Sequence, residues 1–165
     1  MAIDLNIVIG GAAGQGVHTI TGLLAKILVR QGCRVLYVQD YQSRIRGGHL
    51  FNRIRVSDQP LISSREGIDL LVALNQETIL RHRDELAPDG VIIYDAAVVK
   101  ELPAGLSFLA LTAGDLLPEQ KAAEVAINAG ASGALLGLLK VPLEPLMAML
   151  LEAFEAKGAF PRAKA

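Results

Sequence analysis

The stretch that most constrains this chain is Ile9-Gly10-Gly11-Ala12-Ala13-Gly14-Gln15-Gly16-Val17. The largely apolar run Leu5 to Ile9 breaks there into four glycines and two alanines, and a helical pattern leaves from Val17. A strand that gives way to bare backbone and then starts a helix points amides outward, beside a helix N-terminus carrying about half a positive charge. The usual occupant of such a turn is an anionic group. Its spelling departs from both common versions. A dinucleotide fingerprint requires G-x-G-x-x-G, but the only G-x-G here is Gly14-Gln15-Gly16, and Thr19 stands where the third glycine belongs. A phosphate loop requires Gly-Lys-Ser/Thr, which the chain lacks. Two readings remain open: the glycines serve a tight turn against a neighbouring helix, or they face a ligand or a partner.

The rest of the chain reads as strands alternating with helices. From Val17 the pattern puts Ile20, Leu23, Leu24, Ile27 and Leu28 on one helical face, and Gln31-Gly32 ends it. Arg34 to Asp40 is a second strand, which completes a βαβ unit. After a polar segment, Tyr41 to Gly48, residues His49 to Val56 alternate. Leu50, Ile54 and Val56 point one way, and His49, Phe51, Arg53 and Arg55 the other. Asp69 to Asn75 is a buried strand, with Asn75 placed to cap a helix over Gln76 to Leu86. Further strands are expected over Gly90 to Ala96, entered through Pro88-Asp89-Gly90, and over Leu106 to Leu111. A small-residue helix follows Pro118 as far as Lys140, and a last helix covers Glu144 to Phe154. The expected fold is α/β: three layers, α/β/α, around a mostly parallel sheet with a Rossmann-like βαβ start. Residues 1–156 form one domain, and 157–165 are a polar tail or the start of a linker.

Composition narrows the function. A net charge of −1 gives no global field for nucleic acid or a membrane surface. The single cysteine, Cys33, makes neither an internal disulfide nor an iron–sulfur ligand set. His18, His49 and His82 have no metal-ligand spacing, and no G-x-S-x-G supports a nucleophilic serine. The N-terminus lacks a signal-peptide pattern. The most apolar stretch, Val125 to Leu139, is shorter than the roughly 20 residues a membrane span needs. A cytoplasmic protein without a membrane or nucleic-acid partner is expected. Asp40, at the end of the second strand, stands where a ribose-binding acid sits in nicotinamide enzymes. One reading is therefore a small nucleotide-binding module. Arg44 and Arg46 beside Gly47-Gly48 suit a bidentate clamp on phosphate or carboxylate, or salt bridges to a partner subunit, and Arg53 and Arg55 continue that basic face. In the late helix, Ala129, Gly133 and Gly137 recur every four residues. Each helical glycine costs about 1 kcal/mol relative to alanine, so close packing along that stripe is expected.

These stretches together resemble the gamma subunit or domain of 2-oxoacid:ferredoxin oxidoreductases. Gly11-Ala12-Ala13-Gly14-Gln15-Gly16-Val17 is similar to the family's G-x-[GA]-G-Q-G signature. Arg44-Ile45-Arg46-Gly47-Gly48 with Arg53-Ile54-Arg55-Val56-Ser57, then Asp69 to Asn75, Gly90 to Asp95 and Asn128 to Leu139, resemble later landmarks in the right order. The resemblance covers residues 5 to 155. It implies oxidative decarboxylation of a 2-oxoacid to an acyl-coenzyme A, with electrons passing to ferredoxin. Thiamine diphosphate, Mg2+ and iron–sulfur clusters are implied on partner alpha and beta parts. The gamma part packs on those parts and helps receive coenzyme A, which gives Gly11, Gly14, Gln15, Gly16, Arg44, Arg46 and Gly47 a cofactor-facing role. No catalytic side chain is implied in this chain. Ala13 leans the spelling toward the 2-oxoglutarate type. The chain is then either the front of a fused gamma-alpha polypeptide or a shortened free subunit.

Overall fold

Residues 3–41, 48–112 and 120–156 are described by the structure, a computed structural model. β1 (Asp4–Ala12) runs into the glycine turn, and α1 (Val17–Arg30) returns to β2 (Arg34–Tyr41). Then come β3 (His49–Ser57), β4 (Ile68–Ala73), α2 (Gln76–His82) and a 3-10 turn (Arg83–Glu85). β5 (Leu86–Asp95), β6 (Ser107–Leu111), α3 (Gln120–Leu138) and α4 (Glu144–Ala156) complete the order. The six strands form one sheet, β2-β3-β1-β4-β5-β6. The β1–β4, β4–β5 and β5–β6 pairs are parallel, and β3 runs antiparallel to β1 and β2. This mixed, mostly parallel sheet with helices on both faces is the expected α/β class.

Alternate residues of β1 serve opposite layers. Ile7 and Ile9 pack with Ile20 and Leu24 of α1, Ile127 and Leu135 of α3, and Leu146 of α4. Val8 faces the other side with Leu71, Ile79 of α2 and Ile92. A strand buried on both faces reads as a nearly continuous apolar run. Asn6 interrupts that run for a local reason. It is fully buried, and its Nδ2 donates to the carbonyls of Arg65 at 3.0 Å and Gly67 at 2.5 Å, tying down the loop before β4.

Three sequence expectations are corrected. The first βαβ unit does not place its strands side by side, because β3 occupies the slot between β1 and β2. A hairpin-like return from β2 buries Leu50, Ile54 and Val56 against the α1 layer. α2 ends at His82 rather than Leu86, and Pro88-Asp89-Gly90 lies inside β5. There the β4–β5 register jumps from Ile68↔Leu86 to Leu70↔Val91. Gly90 is required in that bulge, since a Cβ would come within 2.8 Å of the Ile68 carbonyl. The glycine stripe of α3 is not a close-packed groove: a Cβ on Gly137 would meet nothing within 4 Å, and one on Gly133 would touch Leu146 at 3.9 Å.

Candidate functional site

The chain leaves β1 toward β3 and β2 on one side and reaches β4 on the other. α1 covers one face of the sheet and α2 the opposite face. The C-terminal ends of β1 and β4 therefore flank a topological switch, the place where open α/β sheets form their ligand crevice. The glycine turn lies there. The Leu74 amide donates to the Gly10 carbonyl at 3.0 Å, and Asn75 caps α2 by accepting from the Thr78 amide at 2.9 Å.

Each turn residue singled out from the sequence has a distinct place. Gly11 is crowded: a Cβ would lie 2.9 Å from Gln15 Oε1 and 3.0 Å from Leu74 Cβ. The Gln15 side chain folds inward. Its Oε1 accepts from the Ala12 amide at 2.7 Å and from Asn75 Nδ2 at 3.3 Å, while its Nε2 donates to the Leu74 carbonyl at 3.2 Å. Gln15 thus staples the end of β1 to the end of β4. Gly14 is the opposite case. Its φ is +93°, and no atom of the described residues lies within 4 Å of where its Cβ would be, so its backbone faces open space among them. Gly16 has φ +89° and sits against Asn128 of α3. A Cβ there would overlap Asn128 Nδ2 and lie 2.6 Å from Cγ. No side chain caps α1, and no acidic residue stands in its first turn. An open glycine backbone beside an uncapped helix N-terminus fits an anionic group or a partner's backbone.

Arg44, Arg46 and Gly47 lie outside the described residues. The basic face expected to continue along β3 is neutralised within the chain. Arg53 Nη2 donates to Glu85 Oε2 at 2.7 Å, and Arg55 grips Asp4 in a bidentate pair at 2.9 and 2.8 Å. The nucleotide-binding reading also loses its geometry. Gly10 pairs with Phe51, and Phe51 with Asp40, so position 40 is two strands from the glycine turn, about 10 Å away. A ribose-binding acid belongs at the end of the strand next to β1.

Sequence reasoning missed one cluster. His49, opposite Ala12 in the β1–β3 ladder, and His82, at the end of α2, are 3% and 4% exposed, with their Nε2 atoms 3.0 Å apart. His82 Nδ1 lies 2.8 Å from Glu85 Oε1, and Phe51 meets the His82 ring edge-on with centroids 4.6 Å apart. Burial foremost, and then the neighbouring His82, pushes the His49 imidazole down to about 4. Burial opposes ionisation of Glu85, but hydrogen bonds from Arg53 and His82, together with the Arg53 charge, hold its carboxyl below the ordinary value. No sequence signal marked it, since His49 falls on the face of its strand that also carries Arg53 and Arg55. Among the described residues, no group of three or more His, Cys, Asp or Glu side chains is arranged to hold a metal ion.

The site is thus a switch-point glycine turn on a mixed α/β sheet, with the Gln15 amide spent on framework contacts. Residues 6–164 match the pyruvate ferredoxin/flavodoxin oxidoreductase family, and the chain belongs to it. It is 30% identical over 93 residues to the alpha subunit of 2-oxoacid:ferredoxin oxidoreductase 2 from Aeropyrum pernix. That match covers 56% of this chain and 14% of the relative, so the aligned residues span only a small part of that longer protein. Among solved structures, the gamma subunit of a keto/oxoacid ferredoxin oxidoreductase from Geobacter sulfurreducens superposes with a TM-score of 0.76 at 26% identity. The match covers 98% of this chain and 88% of that one. The 2-oxoglutarate:ferredoxin oxidoreductase of Magnetococcus marinus, solved with 2-oxoglutarate, coenzyme A and succinyl-CoA bound, superposes with a TM-score of 0.79 at 25% identity. This covers 93% of this chain and 27% of that one.

Proposed function

We propose that this chain is the gamma component of a 2-oxoacid:ferredoxin oxidoreductase acting on 2-oxoglutarate. It packs on the thiamine-binding alpha and beta parts and lends the glycine turn to coenzyme A. The observation that carries this reading is the near end-to-end likeness to the Geobacter gamma subunit. The ligands bound in the Magnetococcus enzyme support the choice of substrate and acyl acceptor. In such an assembly thiamine diphosphate supplies the electron sink for decarboxylation, and its partner-held Mg2+ and the iron–sulfur clusters are not this chain's to bind.

What this chain contributes is positioning. Open backbone at Gly14 and the uncapped start of α1 suit a coenzyme A phosphate or the partner surface beside it. Gln15 acts one step back, since its amide is committed to Ala12, Leu74 and Asn75 and sets the shape of the turn. Gly11 keeps the room that Gln15 needs. Arg44 and Arg46, next to Gly47 in the sequence, supply the charge. In the assembled enzyme, Arg44→Ala or Arg46→Ala is expected to raise the KM for coenzyme A by roughly tenfold or more, the scale of one charged hydrogen bond, with decarboxylation largely intact. An unchanged coenzyme A dependence removes the clamp and leaves those arginines to the subunit interface.

A further inference from the structure

When both imidazoles of the buried histidine pair are neutral, their surroundings fix where the ring hydrogens sit. The two rings hold four nitrogens. Glu85 Oε1 stands 2.8 Å from His82 Nδ1 and accepts from it, so that nitrogen carries a hydrogen. The 3.0 Å contact between the two Nε2 atoms holds a second hydrogen, donated by His49 because the neutral His82 Nε2 is bare. A neutral pair has two ring hydrogens, and both are now placed. His49 Nδ1 is left unprotonated, buried and without a hydrogen-bond partner among the described residues. The ring that bears it helps support the turn: a Cβ on Gly10 would lie 2.6 Å from Thr78 Cγ2 and 3.1 Å from His49 Cε1, so His49 and Thr78 together fill the space beside the last strand residues before Ala12.

We propose that the His49–His82 pair is a protonation latch beneath the glycine turn, closed with two ring hydrogens and opened by a third. Wherever the third proton first lands, the pair can keep its central hydrogen bond only by carrying a hydrogen on His49 Nδ1. That N–H is then buried with no acceptor, and a buried unmet donor is strongly disfavoured. The ring is driven from its seat toward water, and the Gly10–Ala12 end of β1 loses its neighbour. Among the described residues, the charged groups around His49 come from three elements. α2 brings Glu77, Arg81 and His82, the 3-10 turn brings Glu85, and β3 brings Arg53. Glu77 favours the third proton, whereas Arg81 and His82 oppose it. Arg53 holds Glu85 ionised, and so keeps His82 in the tautomer that the count requires.

The latch uses residues of this chain alone, so its test is independent of the assignment to an oxidoreductase. Two-bond nitrogen–proton spectra of the chain at neutral pH should show His49 as the Nε2–H tautomer and His82 as the Nδ1–H tautomer. On acidification, the protection of the Ala12 and Gln15 amides against hydrogen exchange should fall by about tenfold or more beyond the fall at β5 amides. The drop should track the His49 titration and vanish in His49→Phe. The opposite His49 tautomer, or turn protection that stays level with β5 while His49 titrates, overturns the proposal. Should His49→Phe not fold, the wild-type spectra and exchange profile decide alone.

Discussion

Replacing Gly16 with alanine tests how the turn is held. Gly16 combines two demands, a φ of +89° and a Cα pressed against Asn128. The left-handed backbone alone costs an L-residue about 1–2 kcal/mol. The new Cβ would also overlap the Asn128 amide, with Cγ at 2.6 Å and Oδ1 at 2.7 Å, and forcing atoms into a packed site costs about 1–3 kcal/mol more. Gly14→Ala separates the two, because its φ of +93° has the same backbone penalty in open space. For a domain of this size 1 kcal/mol moves Tm by about 2–4 °C. Gly14→Ala should therefore lower Tm by about 2–8 °C, and Gly16→Ala by about 4–20 °C. Adding Asn128→Ala to Gly16→Ala should recover the steric part, a coupling of about 1–3 kcal/mol in a double-mutant cycle read by urea unfolding. If Gly16→Ala costs no more than Gly14→Ala, or the coupling is under about 0.5 kcal/mol, the contact with α3 does not shape the turn.

Two more outcomes follow from named contacts. Gln15→Ala removes the bonds to Ala12, Leu74 and Asn75 and should destabilise the isolated chain by about 1–3 kcal/mol; an unchanged unfolding midpoint would return Gln15 to a purely ligand-facing role. The depressed His49 imidazole makes stability pH-dependent. The unfolded chain binds that proton near 6.5 and the folded chain near 4, so between those values the unfolded state holds more protons and stability falls as pH drops. The loss should approach an order of 3 kcal/mol by pH 4, measured as urea midpoints at pH 7 and pH 4.5, and should be absent in His49→Phe.

Much of the fold was legible because burial leaves periodic traces. β1, α1, β6, α3 and α4 lie within a few residues of where apolar spacing puts them. Strand order was not legible. Alternation in His49 to Val56 says which side chains share a face, but β3 lies beside β1 through hydrogen bonds that any residue could make. The Pro88-Asp89-Gly90 segment reads as a turn because its residues are turn formers, yet a bulge uses the same chemistry within a strand. Gly14 and Gly16 look alike in sequence. Only the arrival of Asn128, from a helix more than a hundred residues later, separates the open position from the closed one. Gln15 belongs to a recognisable signature, but its inward fold depends on the end of β4. The histidine pair joins residues 33 positions apart, and spacing along the chain holds no trace of it.

Membership of a working oxidoreductase assembly can be tested by purifying the tagged chain from its native extract. Thiamine diphosphate and iron–sulfur clusters should copurify on larger partner chains. The preparation should reduce ferredoxin with 2-oxoglutarate only when coenzyme A is present. A chain that emerges alone, or whose partners oxidise no 2-oxoacid, would contradict the account.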